Sequence, residues 1–534
     1  MTNTYNIPFY RTGYFSSLIC DYLDEKSELS QFYSCFPNLD NFKIQIEEKR
    51  KSFQTQSRET LVSVLKEQYQ NIEASELTLQ NINNLKFSNT FTITTGHQLN
   101  LFTGPLYFLY KIVSAINLSK ELKETYPEDN FVPVYWMATE DHDFEEINYF
   151  NFKGKKVHWN RDAKGAVGEL STEGLKQIFE LLAKEFGNTK NANYLKMLFE
   201  EAYIKHHNLA DATRFLANEL FKDYGLVVID ANEAELKKQF VPYIEDELLN
   251  QTSYKAVLET NKKISVLSEA YKIQVNPREI NLFYLKENLR ERIVFEDDIY
   301  KVVNTNISWS KSEILKEVSD FPERFSPNVI MRPLYQEVIL PNLCYIGGGG
   351  ELAYWFELKY FFEEVKVPFP ILLLRNSVLI QTENQYKKLQ KLNISEEDLF
   401  LKRDTFINKK VREISNISID FSLQIKHLKQ QFEDLYKTAE QTDKSFLGAV
   451  KAQEIKQLKG LANLEKRLLK AQKKKLSDQV FRMTELQNEL FPGQSLQERN
   501  TNFSEFYLEH GKALLPTLIK HLKPLRGEFL ILNM

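Results

Sequence analysis

Four short stretches hold residues whose types and spacing could do chemistry. The first is TTGHQLNLFTGP, residues 94–105, in which Gly96, His97 and Gln98 follow an apolar run and Thr103, Gly104 and Pro105 precede a helical one. Glycine allows a sharp turn or a close approach to a ligand, and proline suits the first helical turn, where an N–H has no intrahelical use. The stretch therefore predicts strand, loop and helix N-terminus, where free N–H groups and the helix dipole favour anions. His97 could supply charge or a hydrogen bond to a transition state, Gln98 and Thr103 could bind substrate, and Gly96 and Gly104 could admit an anion or nucleotide. A tight strand-to-helix turn whose histidine is capped by backbone would use the same residues.

The second stretch is Glu140, Asp141, His142 and Asp143, directly after the apolar run VPVYWMA. Three carboxylates and an imidazole in four positions repel one another unless water, an amine, an arginine or a cation joins them. General acid/base work by Asp141, His142 and Asp143, with Glu140 recognising a cationic amine, is one reading; a divalent metal is a minor option, and a solvated loop is the other. The third is IGGGGELAYW, where Gly347, Gly348, Gly349 and Gly350 could form a backbone nest for an anion or could be a flexible turn. It is neither a P-loop nor a GxGxxG fingerprint. The fourth comprises Arg332 and Gln336 in MRPLYQEVILP and Arg375 after ILLL. An arginine at a strand end can grip a carboxylate with two parallel N–H bonds, or can neutralise the acidic cluster. Tyr354 and Trp355, beside the glycines, join these as substrate-binding candidates.

The elements that must position these groups are legible as apolar patterns. FTITT, a helix over about 105–123 and FVPVYWMA read as strand, helix and parallel strand, the start of a βαβ unit. GLVVIDA adds a strand ending at Asp230, with a helix expected over about 233–263. FNFKGKKVHW reads as a hairpin, and INLFYL, RIVFED and YKVV read as an antiparallel insertion. A last α/β stretch places a strand at 343–346, a helix at 352–362 and a strand at 370–374. The fold class is thus α/β, with a parallel-sheet core and helical and antiparallel insertions. The expected divisions are a helical segment over 1–90, the first core half over 91–160, insertions with a core strand over 161–325, the second core half over 326–382, a coiled-coil hairpin over 383–490 and a returning helix and strand over 491–534. In the hairpin, Phe421, Ile425, Leu428, Phe432, Leu435 and Ala439 repeat at spacings of four and three, as do Leu461, Leu464, Leu468 and Ala471, with a turn near Asp443.

Composition narrows the classes. With 534 residues, 69 basic and 73 acidic side chains and a net charge of -4, the chain has no global basic surface for nucleic acid. The lysine-rich KAQEIKQLKG and KAQKKK read as a solvated coiled-coil face, because apolar seam positions interrupt them and stacking aromatics are absent. Cys20, Cys35 and Cys344 form no CxxC or Cys/His pattern, and His97, His142 and Cys344 could share a zinc only if the fold brings them together. The cysteine usage suits a reducing cytoplasm, and neither a signal pattern nor an apolar run of about 18 residues is present, so a cytoplasmic chain without a membrane partner is expected.

Taken in order, IPFYRTGYFSSLICDYL, TGHQLNLFTGPLYFLYK, VPVYWMATEDHDFEEIN and RPLYQEVILPNLCYIGGGGELAYW closely resemble the BshC family of bacillithiol biosynthesis, over most of the chain. The resemblance implies a Rossmann-like core related to class I nucleotidyltransferases and aminoacyl-tRNA synthetases, and a coiled coil that helps make a homodimer. It also implies the activity of a carbon–nitrogen ligase that joins cysteine to glucosaminyl-malate, with ATP or an ADP-type nucleotide and magnesium as cofactors. The motif matches are His97 and Gln98, Glu140 to Asp143, and Gly347 to Gly350. One departure is that the class I synthetase lysine signature is not visible after the last core strand. A non-catalytic nucleotide-binding protein acting with a partner, and a transferase using a preactivated cysteinyl donor, remain the alternatives.

Overall fold

The computed structural model describes residues 4–534. They form two compact units, one of Asn6–Leu379 with Gln497–Leu532 and the other built on Ile380–Leu496. The first unit is organised by a five-stranded parallel sheet of β1 (Thr90–His97), β2 (Asn130–Met137), β3 (Val227–Asp230), β4 (Asn342–Gly347) and β5 (Ile371–Leu374), in the order β5-β4-β1-β2-β3. This is the doubly wound order, which reverses between β1 and β4 and opens a crevice at their carboxyl ends. The registers Gly96↔Trp136, His97↔Met137 and Thr95↔Ile346 bring the ends of β1, β2 and β4 side by side.

Central strands covered on both faces must be apolar or internally satisfied. Every residue of β1 is buried. Its threonines are bonded: Thr94 Oγ1 donates to Asn342 Oδ1 at 2.8 Å and Thr95 Oγ1 to the Ile346 carbonyl at 2.8 Å. Phe91 and Ile93 pack with Ala115, Leu118 and Leu122 of helix α1 (Tyr107–Thr125) and with Leu343, Ile346, Ile371 and Leu373. The hairpin of Tyr149–Phe152 and Lys155–His158 forms as expected. So does the antiparallel insertion, in which Leu282–Lys286, Leu289–Glu296 and Ile299–Val302 pair with Phe325–Pro327 and Ser308–Trp309 on the flanks.

Three expectations need correction. The single helix expected over 233–263 is three, Ala234–Lys238, Val241–Asn250 and Thr252–Leu267, because Pro242 starts a new helix and Gln251 turns the chain at φ +54°. Met331–Ile339 is helix α2, so Arg332 stands on a helix and not at a strand end. The helix after β4 starts earlier, as α3 (Gly349–Glu357), and gives way to Lys359–Glu364.

In the second unit, α4 (Ser422–Ala439) and α5 (Lys444–Lys475) flank the expected turn, where the Asp443 carboxylate caps α5 by accepting from Ser445 and Phe446. Their seam is set by Phe432, Ala439 and Val450 with Leu428 and Tyr436. Leu435 and Leu464, expected in the seam, are 45% and 52% exposed, and Ala471 also faces out. Tyr436 takes the position beside Leu435 because its ring packs inward while its hydroxyl reaches Glu454 Oε2 at 2.7 Å.

Candidate active site at the sheet's switch point

A cavity of about 620 Å³ opens at the carboxyl ends of β1, β2 and β4. Gly96, His97 and Gln98 of the first motif line it, as do Glu140, Asp141 and His142 of the second. Arg332, Tyr345, Glu351 and Tyr354 form another wall, and Arg278, Arg290 and Arg292 line it from the insertion side.

The first corner is made by backbone few residues accept. Phe102 and Thr103 have φ of +48° and +68°, and Gly104 has φ +62°, where a Cβ would stand 2.6 Å from Asn100 Cβ. Such non-glycine conformations are strained by about 1–3 kcal/mol each and persist only where partners hold them. Here Asn502 Nδ2 donates to the carbonyls of Phe102 (2.8 Å) and Gly104 (2.6 Å), and Tyr203 Oη accepts from the Phe102 N–H at 2.8 Å. Thr103 and Gly104 thus shape the corner from behind the cavity wall. At Gly96 a Cβ would stand 3.3 Å from the Tyr345 hydroxyl, so the missing side chain leaves room at the wall.

His97 is buried, and its Nε2 has no hydrogen-bond partner. Burial, with Lys111 and Arg375 nearby, pulls its pKa down to about 3. The ring is therefore neutral near pH 7, and with the Thr103 backbone taking its other side, Nε2 presents a lone pair. Lys111 reaches back from α1, donating to the Gly96 carbonyl at 2.7 Å and pairing with Glu351 at 2.6 Å. Burial pushes the Lys111 pKa down against the pull of Glu351. It pushes Glu351 up, but Lys111, the Tyr345 hydroxyl at 2.7 Å and the Gly348 N–H at 3.0 Å overcome that and keep it an anion.

On the second motif, Asp141 accepts from Gln98 at 3.1 Å and from the His142 N–H at 2.7 Å. Burial opposes its charge, yet the His142 ring beside it, these bonds and the Arg290 charge hold it well below the usual carboxylate range. Gln98 also bonds Glu146 at 2.7 Å, which ties the two motifs together. Glu140 is ion-paired with the fully buried Lys237. Arg290 meets His142 Nδ1 at 2.6 Å. Because a guanidinium only donates, Nδ1 accepts in that contact, which leaves Nε2 as the ring's donor; the same Nδ1 lies 3.5 Å from Asp141 Oδ1.

Other candidates are placed elsewhere. Asp143 is exposed and caps Phe144–Ile147 through the Glu146 N–H. Arg375 is buried and paired with Glu498 at 2.8 Å, so its charge is already met. Gln336 is buried and accepts from Arg332 at 3.1 Å, which makes it a support for that arginine. Trp355 faces the core against Tyr345, Phe362 and Phe369. The glycine turn is not a nest: none of Gly347 to Gly350 has the positive φ a nest needs, and the Gly348 N–H is taken by Glu351. Among the described residues no three His, Cys, Asp or Glu side chains gather as a metal-ligand set, and Cys344 is buried in β4.

Lys111, Glu351, Lys237, Asn502 and the three insertion arginines were missed by the motif reading. The one available signal was LRERIV, where Arg290 and Arg292 at a spacing of two share a strand face.

A family model described as Bacillithiol biosynthesis BshC, N-terminal Rossmann-like domain, matches residues 2–376, and one described as its C-terminal coiled-coil domain matches residues 378–534. The chain belongs to the BshC family. A Flavobacterium johnsoniae relative is 62% identical over 527 residues, 99% of both chains. One from Cytophaga hutchinsonii is 38% identical over 96% of this chain and 95% of its own, and one from Bacillus mycoides is 29% identical over 92% and 94%. All three BshC relatives carry the name "Putative cysteine ligase BshC". No helix among the described residues is long and apolar enough to cross a membrane.

Proposed function

We propose that this chain is the cysteine-adding ligase of bacillithiol biosynthesis, forming an amide between the cysteine carboxyl and the amine of glucosaminyl-malate in the cytoplasm. The observation that carries the reading is the cavity itself: both corner motifs converge on the switch-point crevice where doubly wound folds bind ligands. Forming an amide from a free carboxylate at neutral pH is uphill, so the cysteine carboxyl must be activated. ATP with magnesium would supply that as an acyl-adenylate. The orphaned His97 Nε2 is a group present that fits a nucleotide hydroxyl, and magnesium would arrive on the phosphates, since the wall gathers no metal-ligand set.

In the joining step the amine nitrogen attacks the activated carbonyl carbon, the bond from that carbon to the adenylate oxygen breaks to release AMP, and the proton lost by the amine passes to solvent in the open cavity. Asp141, ionised and open to the cavity, is placed to hold the amine end. His142 offers a donor at Nε2, suited to the carbonyl or leaving oxygen rather than to taking the proton. Of the two arginines marked by sequence, Arg332 is the one on the wall, with Nη2 buried and unpartnered; it would grip a malate carboxylate. Leu423, Leu435, Phe446, Ile455 and Leu464, exposed on the coiled-coil helices, support a homodimer formed there.

One observation favours a second reading. Glu351 occupies both Lys111 and the Gly348 N–H, groups that would otherwise hold phosphate, and this suits a transferase taking a preactivated cysteinyl donor. The test is mass spectrometry of purified protein with glucosaminyl-malate, cysteine and magnesium, with and without ATP. Bacillithiol only with ATP supports the ligase. No product in either case, followed by product from a preactivated cysteinyl donor, replaces it with the transferase.

A further inference from the structure

The charges lining the cavity do not balance, and the imbalance is local. Glu351 is neutralised by Lys111 and Glu140 by Lys237, while Asp141 faces Arg290. Arg278, Arg292 and Arg332 line the same cavity, and among the described residues none of them makes an ion pair. Arg332 is fixed by neutral partners, Gln336 and the Trp136 and Tyr345 rings, and keeps Nη2 buried without a partner. Arg290 lies over the Phe283 ring at 3.9 Å, donates to His142, and keeps a buried, unpartnered Nε. Arg292, two residues on, shares its strand face. Buried guanidinium nitrogens are expensive to leave unbonded, and guanidinium forks match carboxylates in pairs of parallel bonds.

From this we infer that Arg278, Arg290 and Arg292 of the insertion, facing Arg332, form a receptor for a dicarboxylate. The anionic end of the second substrate lies against this wall and its amine end against Asp141. The identity of the ligand as glucosaminyl-malate rests on the proposed function, whereas the receptor rests on the unmatched arginines. Its position also assigns a role to the antiparallel insertion: it carries the anion-binding wall, and the parallel core carries the reacting groups. Two closely spaced phosphates share the same chemistry, so the test must separate the two sources.

Calorimetric titration of the full chain with glucosaminyl-malate, malate, methyl glucosaminide and inorganic pyrophosphate does so. Arg278 and Arg292 are exposed, and the double variant Arg278→Gln/Arg292→Gln should unfold at the wild-type temperature. It should bind glucosaminyl-malate and malate about 10- to 100-fold more weakly, as expected for lost charged hydrogen bonds, while methyl glucosaminide is unaffected. Arg292→Lys, which keeps the charge and loses the fork, should fall between. Unchanged affinity for the dicarboxylates overturns the receptor, as does a loss confined to pyrophosphate, which would make it a phosphate site. Wild-type protein that makes no product but still loses malate binding in the double variant refutes the ligase reading and keeps the receptor. Wild-type protein that makes product, with KM for glucosaminyl-malate unchanged in the double variant, does the reverse.

Discussion

The corners after β1 and β4 meet at the switch point, both run from a buried strand into a helix, and both are rich in glycine, yet one opens onto the cavity and the other is closed. After β1, the chain is strained at Phe102 and Thr103, held from behind by Asn502, and leaves His97 Nε2 unpartnered on the wall. After β4, the backbone is ordinary, and Glu351 folds back to take the Gly348 N–H. The difference teaches that glycine content does not make an anion site; what matters is whether the freed N–H groups and charges already have partners. Lys111 links the two corners, bonding the Gly96 carbonyl on one side and Glu351 on the other.

Breaking that link should have the largest effect. Lys111→Met leaves Glu351 without its cation and should cost about 3 kcal/mol in urea unfolding, together with loss of product formation. A wild-type urea midpoint would show that the corners hold independently.

The open corner should also be the acid-sensitive one. Folded His97 stays neutral down to about pH 3, whereas an unfolded histidine takes up its proton near pH 6.5. Between those values the unfolded chain binds more protons, so this contribution to stability is complete above about pH 6.5 and is lost as pH falls. His97→Gln should reduce the stability difference between pH 7 and pH 5 by about 2 kcal/mol relative to wild type. An equal slope in the two proteins would mean that the imidazole charges freely in the fold.

The glycines sharpen the contrast at lower cost. Gly104→Ala, at φ +62° and against Asn100, should destabilise by about 2 kcal/mol. Gly350→Ala sits in the first turn of α3 with nothing within 4 Å of the added carbon, and should stabilise by about 0.5–1 kcal/mol. Thermal unfolding of the pair, with opposite signs, is the check; the same sign in both would erase the distinction between the corners.

Much of the core was legible because its signals are local. The all-buried pattern of β1, the buried run of β2 after Asn130, the apolar face of α1 and the turn at Asp443 each depend on residues within a few positions of one another. The seam of the coiled coil was misread by one position at Leu435, where spacing alone could not choose between it and Tyr436. The sequence motifs do meet on one cavity wall in the case of His97, Gln98 and Glu140 to His142. Arg375 does not join them, because it is paired with Glu498, 123 positions away and invisible to local spacing.

The sequence by itself determined the core strands, helix α1 and the family, because periodicity and motif spacing survive without knowledge of distant contacts. Only the tertiary structure decided which charges are free: Arg332 stays open while Arg375 is neutralised, Glu351 closes the glycine turn, and a strand of the insertion brings Arg290 to His142. Coulomb and hydrogen-bond partners are set by proximity in space, and each of these pairs except the Glu351 cap joins segments that the chain order keeps far apart.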